Sequence, residues 1–460
     1  MKETIPVKKN EVYIVDIIDN GCEGEGIAKI NNYTIFIPGA IKDEKIKILI
    51  VKTTSSHAFG KILEIMESSD KRKESDCNTY NRCGGCNLRH INYEDTLIIK
   101  KNTVQNLVNK TLSKDITVDN TIGMENPLHY RNKAQYPIGY NKNGEIVTGV
   151  YANRTHEIVP MNNCKIQNKI SEDIAKWIIN FMKENKITAY NENSNEGTIR
   201  HVVVRVGIHS NEIMCILVTN ERNIVNEENL VKGLTDNFKN IKTIVKNINS
   251  ENTNVILGKE NIILYGNGYI EDKLGEYTFK ISPLSFYQIN PIQTEKLYNL
   301  ATDLANLNKN DIVLDLYCGI GTIGIFASKK VKHVYGIEII PQAIEDAKEN
   351  AEINSVNNIT FYCGDVEEVL DKIVNKEQVK PTVIFVDPPR KGLDRNTIRN
   401  ILRYAPERIV YISCNPATLV RDLKMFEEKY EIQKIKPVDM FPFTSHVECC
   451  SVLYLKNSIQ

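Results

Sequence analysis

Apolar positions follow three different rhythms along the chain. From about Asn10 to Met66, short runs (VYIVDIID, GIAKI, YTIFIP, EKIKILIVK and HAFGKILEIM) alternate with turn segments such as NGCEGEG and PGAIKD. Short β-branched runs punctuated by Gly and Pro predict strands. Five of them in so short a span predict a small closed barrel of the oligonucleotide-binding kind. A polar link, ESSDKRKESD, leads into a second rhythm. It holds a helical stretch from about Tyr93 to Leu112, two strands around a Lys-Asn-Gly turn in KAQYPIGYNKNGEIVTGVYANRTHEIVP, a helix near Ser171 to Glu184, and alternating strands such as RHVVVRVGIHS and EIMCILVTN. From about Gln288 the pattern becomes strand, glycine loop, helix, repeated through DIVLDLYCGIGTIGIFAS, HVYGIEII, ITFYCGD, PTVIFVDPP and RIVYISC. That alternation predicts a doubly wound, mainly parallel α/β sheet. The expected organisation is a barrel over 1–66, a mixed α+β centre over 67–285 and an α/β, Rossmann-like domain over 286–460.

Composition narrows this picture. The 460 residues are 42% hydrophobic and 25% charged, as in a globular protein of two or three domains. No apolar run reaches the length of a membrane span, and the opening MKETIPVKKNE lacks the apolar core of a signal peptide. A cytoplasmic location without a membrane partner is expected. The 11 cysteines then read as thiols or ligands rather than disulfides. With 58 basic and 58 acidic residues, any nucleic-acid site must be a local basic patch.

In VLDLYCGIGTIG a strand runs into a tight turn at Gly319 and Gly321, where bare backbone admits a ligand beside a helix amino end. Asp315 precedes the glycines and suits a cation better than a pyrophosphate. Glu338 ends the next strand, where it can bind ribose hydroxyls, and Asp365 follows the third strand, in reach of an adenine amino group. The set resembles the S-adenosylmethionine site of class I methyltransferases. The fourth strand ends in VDPPRKG, placing Asp387 at the sheet's carboxyl edge; related loops in amino-group methyltransferases carry an aromatic where Arg390 stands.

At the end of the fifth strand stands Cys414, followed by Asn415 and by Pro416, which suits a first helical turn. A thiol at a helix amino terminus is expected to have a lowered pKa and to act as a nucleophile. Carbon 5 of a pyrimidine is a poor nucleophile until a thiolate adds to carbon 6; afterwards a base must remove the proton at carbon 5 so that the thiolate can leave. Glu448 in SHVECC is the expected base, with His446 as its orienting neighbour and Cys449 and Cys450 as core residues.

The succession FYQIN, DLYCGIG, DPPRKG, SCNPATLVRD and HVE resembles that of the RNA uracil-C5 methyltransferases. The resemblance implies Cys414 as nucleophile, Glu448 as proton acceptor, and contacts to S-adenosylmethionine from Gln288, Tyr317, Glu338 and Asp387, with the Asp387 loop also facing the uracil. The stretch GEGIAKINNYTIFIPGAIKDEKIKILI resembles a TRAM domain, an RNA-binding barrel.

Cys77, Cys83 and Cys86 stand as C-x5-C-x2-C, with Cys164 far along the chain. Four thiols suit zinc or an iron–sulfur cluster, and spacing alone does not choose. The set resembles the [4Fe-4S] site of the 23S ribosomal RNA uracil-5-methyltransferases, which implies a structural cluster, with zinc as the alternative. The spacing does not match the C-x3-C-x2-C of radical enzymes. A flipped-out or single-stranded uridine is required, because a stacked base hides carbon 6. Candidate RNA contacts are Tyr33, Phe36 and Phe59 in the barrel, Arg131 and Lys133 in YRNKAQ, and Arg390. The expected substrate is 23S ribosomal RNA, because transfer RNA enzymes of the family commonly lack both barrel and cysteine cluster. Transfer RNA is the alternative, and a non-enzymatic RNA-binding assembly factor is a third reading. No obligate protein partner is implied.

Overall fold

A computed structural model describes residues 5–153 and 155–456. The first four residues of the opening segment and the last four of the chain, which fall in the expected terminal domains, lie outside the described residues. Near the N-terminus, β1 (Val12–Asp16), β2 (Asp19–Asn20), β3 (Gly26–Ile30), β4 (Tyr33–Ile37), β5 (Lys45–Thr53) and β6 (His57–Glu67) form one sheet in the order β1-β5-β6-β4-β3-β2. The five expected strands are there, and the two-residue β2 is an addition too short to leave a periodic signal. Alternating inward residues, Ile35, Ile37, Ile46, Ile48 and Ile50, fill the core beneath it.

Next come α1 (Tyr93–Thr111), then β7 (Lys133–Tyr140), β8 (Ile146–Tyr151), β9 (Ile158–Pro160), α2 (Lys169–Glu184), β10 (Ile199–Val206), β11 (Ile213–Thr219), α3 (Glu227–Asn237), β12 (Ile241–Ile248) and β13 (Glu260–Tyr265). Their strands make a seven-stranded sheet, β13-β12-β11-β10-β7-β8-β9. A separate hairpin of β14 (Ile270–Leu274) and β15 (Tyr277–Ile281) follows.

The C-terminal sheet is built from β16 (Ile312–Leu316), β17 (His333–Glu338), β18 (Ile359–Cys363), β19 (Val383–Val386), β20 (Arg408–Ser413), β21 (Tyr430–Val438) and β22 (Glu448–Leu455). Its order is β18-β17-β16-β19-β20-β22-β21, with the first five strands parallel and β22 antiparallel to both neighbours. The helices α4 (Pro291–Leu304), α5 (Thr322–Ser328), α6 (Pro341–Ile353), α7 (Val366–Asp371), α8 (Arg395–Tyr404) and α9 (Pro416–Phe426) connect these strands or precede them. Such a sheet must be covered on both faces, so β20 is buried along its whole length.

The sequence boundary near residue 286 does not coincide with a boundary in packing. Helix α1 lies on the C-terminal sheet, its Val104 and Val108 buried with Leu419 and Leu423 of α9. On the opposite face, Val203, Met214 and Ile216 of the central sheet and Phe279 of the hairpin join the core of Val313, Phe385 and Val410. Each such buried side chain contributes about 1.5–3 kcal/mol, so the central and C-terminal units hold one another in place.

Candidate active site at the carboxyl edge of the sheet

Strands β20 and β22 pair antiparallel with Ser413 opposite Cys449. One step further, the same register sets Cys414 across from Glu448, although they lie on separate strands joined by a helix and a third strand. Glu448 is 4% exposed, and burial together with the Asp387 carboxylate pushes its carboxyl up to about 8, against the pull of Arg390. Asp387 follows β19; burial pushes its carboxyl up to about 7. A carboxyl poised near neutral pH suits proton transfer.

The expectation of a low thiol pKa is overturned. Burial, followed by the Glu448 and Asp387 carboxylates, pushes Cys414 up to about 11, and Arg390 offsets only part of this. Cys414 stands one residue outside the helix, and Asn415 is the N-cap of α9, its Oδ1 accepting from the Ala417 amide at 3.1 Å. That first-turn donor is thus engaged by the amide side chain. Asn415 also fixes the VDPPRKG loop, since its Nδ2 donates to the Arg390 carbonyl at 3.0 Å and Thr418 Oγ1 donates to the same oxygen at 3.3 Å. Gly392 has φ +75°, and a Cβ there would lie 2.6 Å from the Asp422 carboxylate, so loop and helix meet too closely for a side chain.

The expected donor-binding residues surround the turn after β16. Gly319 has φ +54°, and an added Cβ would meet open space, which leaves the backbone bare to a ligand. Glu338 accepts from the Gly319 amide at 3.2 Å and from the Ile340 amide at 2.9 Å. Tyr317 is half-buried beside the turn with φ +67°, and burial pushes its phenol up to about 12. Asp315 is fully buried: its Oδ2 accepts from the Gly324 amide at 2.8 Å, while Oδ1 has no partner among the described residues. Burial, with the Asp387 and Glu338 charges, pushes it up to about 7. Buried carboxyls this short of positive charge fit a cationic ligand such as a sulfonium. Gln288 is half-buried, and its backbone carbonyl accepts from Asn132 Nδ2 at 2.9 Å. Asp365 takes a different post, as the N-cap of α7, its Oδ1 accepting from the Glu367 amide at 2.8 Å, so one oxygen remains for a ligand.

Arg131 and Lys133 flank Asn132, which donates to the Gln288 and Ile289 carbonyls and so ties this segment to Gln288. Lys133 is pushed down to about 8 by burial and by the charges of Arg205 and Arg131. His446 is exposed, its pKa lowered by burial and by Arg390, Lys100 and Arg131. Its ring stands edge-on to Phe441 at 5.9 Å, and no hydrogen bond joins it to Glu448 among the described residues, so the expected orienting role lacks a contact. In the barrel, Tyr33 donates to the Thr54 and His57 carbonyls, a structural tie. Phe36 and Phe59 flank His57 in a half-buried aromatic cluster.

The four thiols of Cys77, Cys83, Cys86 and Cys164 gather on one side of the centre. Burial pushes Cys86 up to about 12, helped by Cys164, Cys83 and Cys77, while burial and those same neighbours raise Cys83. Among the described residues, however, no three His, Cys, Asp or Glu side chains converge as a single metal ion requires. A zinc ion draws its thiolates to about 2.3 Å; these thiols share a neighbourhood without that convergence. Sequence reasoning did not find what this loop does next. Asn87 Oδ1 accepts from the Ser445 amide at 2.7 Å, its Nδ2 donates to Ser445 Oγ at 2.9 Å, and the Leu88 amide donates to the Phe443 carbonyl at 3.0 Å. Arg89 lies 4.4 Å over the Phe443 ring and pairs with Asp76, beside Cys77. The cysteine loop thus grips the segment just ahead of Glu448. From the other side the buried Lys100 of α1 pairs with Asp439, which also accepts from Tyr93 at 2.8 Å.

A doubly wound sheet with buried carboxyls around an open glycine turn defines a class I methyltransferase. The chain belongs to the RNA (uracil-5-)-methyltransferases: the family described as tRNA (uracil-5-)-methyltransferase matches residues 92–457, and a TRAM domain matches residues 6–63. It is 45% identical over 457 residues to an uncharacterized RNA methyltransferase of Oceanobacillus iheyensis, covering 98% of each chain. It is 44% identical over 449 residues to another of Clostridium tetani, covering 97% of each. The solved tRNA (uracil-54, C5)-methyltransferase of Pyrococcus abyssi, in complex with S-adenosyl-L-homocysteine, superposes with TM-score 0.75 at 26% identity, covering 96% of this chain and 100% of that one. So little is left uncovered that the barrel must be included. The barrel alone therefore does not decide between ribosomal and transfer RNA. No helix among the described residues is long and apolar enough to cross a membrane.

Proposed function

We propose that this protein methylates carbon 5 of a uridine in RNA, with Cys414 as nucleophile and Glu448 as base. The observation that carries this reading is the ladder ending at Ser413 and Cys449, which brings the next residue, Cys414, close enough to Glu448 and Asp387 for their charges to act on the thiol. S-adenosylmethionine supplies the methyl group on a cationic sulfur; Gln288, Tyr317, Gly319, Glu338 and Asp387 would hold it, with Asp365 in reach through its remaining oxygen. Cys414 gives its proton to solvent and the thiolate adds to carbon 6 of the uracil, moving electron density onto carbon 5 and the neighbouring carbonyl; carbon 5 would then take the methyl group as the sulfonium's carbon–sulfur bond breaks, leaving a neutral thioether. After carbon 5 has taken the methyl group, Glu448 removes the proton there. The electron pair of that C–H bond re-forms the ring double bond, and the carbon–sulfur bond breaks to return the thiolate. Arg390 eases formation of the thiolate, and Arg131, Lys133 and Arg390 hold the RNA backbone.

The RNA we favour is 23S ribosomal RNA, because the cysteine loop resembles that of the ribosomal enzymes. Transfer RNA is the second reading, favoured by the P. abyssi enzyme. A [4Fe-4S] cluster is the favoured occupant of the four cysteines, with zinc as the alternative, because the cysteine loop resembles that of the ribosomal enzymes. The cluster would be structural and the setting cytoplasmic. Labelled S-adenosylmethionine, offered with ribosomal and transfer RNA lacking 5-methyluridine, tests the reaction. Label in ribosomal 5-methyluridine, lost in Cys414→Ala, is the expected result; label in transfer RNA alone overturns the substrate, and label in neither overturns the enzyme reading. Absorbance near the visible range and iron and sulfide assays on anaerobically purified protein test the cluster.

A further inference from the structure

A cavity of about 970 Å³ opens on the central sheet, away from Cys414. Its walls carry Tyr140, Tyr151, Tyr190 and His201, and the cysteine loop contributes Arg82 to its rim. That volume matches sites for ordinary organic ligands, which run about 300–1,000 Å³. Beside these aromatics stand Lys142 and several asparagines, with Ile138, Ile158 and Pro160 as an apolar part. Tyr190 lies under the Arg200 guanidinium at 4.2 Å, and Tyr151 stacks on His156 with centroids 5.0 Å apart. The two acidic groups are already engaged, Glu157 by Arg82 at 3.0 Å and Glu192 by His156 at 2.6 Å. His201 is only 8% exposed, and its Nδ1 has no partner among the described residues. Burial and the Arg200 charge push this imidazole down to about 4, so at neutral pH it is uncharged and can donate or accept one hydrogen bond.

The cavity is linked to the candidate active site by a single strand. On β7 and β10, Lys133 pairs with Arg205, Gln135 with Val203 and Pro137 with His201. Side chains two apart share a face, so Lys133, the exposed Gln135 and His201 lie along one side of the sheet. The amino end of β7 touches the Gln288 segment, and Tyr140 at its other end lies roughly 24 Å further on, at about 3.4 Å per residue. Arg200 is spent on the Asn249, Glu251 and Thr253 carbonyls, which leaves the Tyr140 and Tyr151 rings, the exposed Lys142 and the unpaired His201 nitrogen to meet an unstacked base with its phosphate. We propose that this cavity binds a second, unstacked nucleotide of the same RNA whose uridine reaches Cys414. The proposal rests on the RNA-methylating reading above.

The test uses the full-length protein and a fluorescent single-stranded fragment of ribosomal RNA lacking 5-methyluridine, which carries the uridine that the labelling experiment above identifies as the target. Tyr140→Ala and Tyr151→Ala are each expected to weaken RNA binding about tenfold, the size of one lost stacking contact. Tyr151→Phe, which keeps the ring, retains wild-type affinity. The rate at saturating RNA stays near wild type while KM rises, and S-adenosylmethionine affinity is unchanged, which shows that the variants are folded. Wild-type RNA affinity in both alanine variants overturns the proposal and points to a small-molecule or protein occupant. A wild-type protein that neither binds nor methylates RNA overturns the underlying functional reading instead.

Discussion

Two groups of cysteines in this chain have opposite structural origins. Cys414 is positioned by regular structure: six buried residues of β20 lead up to it, and the ladder to β22 decides what it faces. Cys77, Cys83, Cys86 and Cys164 sit in loops, and they approach one another without a ladder to set their spacing. The surroundings of the first thiol are fixed by the protein's own strands and the loop after β19, which set the Glu448 and Asp387 carboxyls beside it. The second is a gathering of thiols that repel one another when ionised, which a bound cluster would relieve. The two are joined by the Asn87–Ser445 clamp, so the loop's order reaches the segment carrying Glu448.

The largest expected contrast comes from removing one sulfur of each kind. Cys414→Ala is expected to lower methyl transfer by on the order of 10⁴-fold or more, as loss of a nucleophile does elsewhere, with donor binding and thermal stability unchanged. Cys86→Ala acts through the clamp, lowering activity by about 10–100-fold, the scale of lost outer support, and lowering the melting temperature. Equal losses from both, or an unaffected melting temperature in Cys86→Ala, would break the distinction.

The charge at the Glu448 site gives a second contrast. Its folded-state carboxyl lies near 8, above the ordinary carboxylate value, so the native protein keeps the proton longer than the unfolded chain does. Stability contributed by that proton is full at low pH and is lost as pH rises towards 8. Glu448→Gln should therefore match wild type near pH 4 and exceed it above pH 8, by on the order of 5 kcal/mol in denaturant titrations. Lower stability of the variant at pH 9 would contradict the buried-carboxylate account.

Donor binding should show a smaller effect. Asp387 and Asp315 both hold protons up to about pH 7, so the cationic donor meets neutral carboxyls below that pH. Its affinity is expected to fall on acidification, by at most about tenfold per pH unit for each linked proton. S-adenosyl-L-homocysteine, whose sulfur is uncharged, should lose less, and calorimetry between pH 5.5 and 8 on the order of unit steps measures the difference. Asn87→Ala is the mildest change: a few-fold loss of turnover with unchanged donor affinity.

Legibility in the sequence followed the range of the forces involved. The barrel strands, α1, α2 and the repeated strand–loop–helix of the C-terminal sheet were marked by local periodicity and turn residues, and they appear within a few residues of their expected bounds. The β14–β15 hairpin, short and polar in IEDKL, left no such mark. Neither did the docking of α1 on the C-terminal sheet, a contact between distant segments. At the site, the residues were legible as motifs but their electrostatics were not. Local reasoning placed Cys414 at a helix start and expected a thiolate, whereas Asn415 occupies the cap and carboxyls from β19 and β22 set the thiol's environment. The clamp from Asn87 to Ser445 had no sequence signal, because neither residue type nor spacing links such distant loops.

The central claim, that Cys414 adds to the base and Glu448 releases it, is tested most directly by trapping. Glu448→Gln, incubated with S-adenosylmethionine and the RNA substrate, should accumulate a covalent protein–RNA adduct, found by mass spectrometry on the Cys414 peptide with the methyl group on the uracil. Cys414→Ala combined with Glu448→Gln should give none. Full turnover by Glu448→Gln without any adduct, or an adduct carried by another residue, would contradict the account.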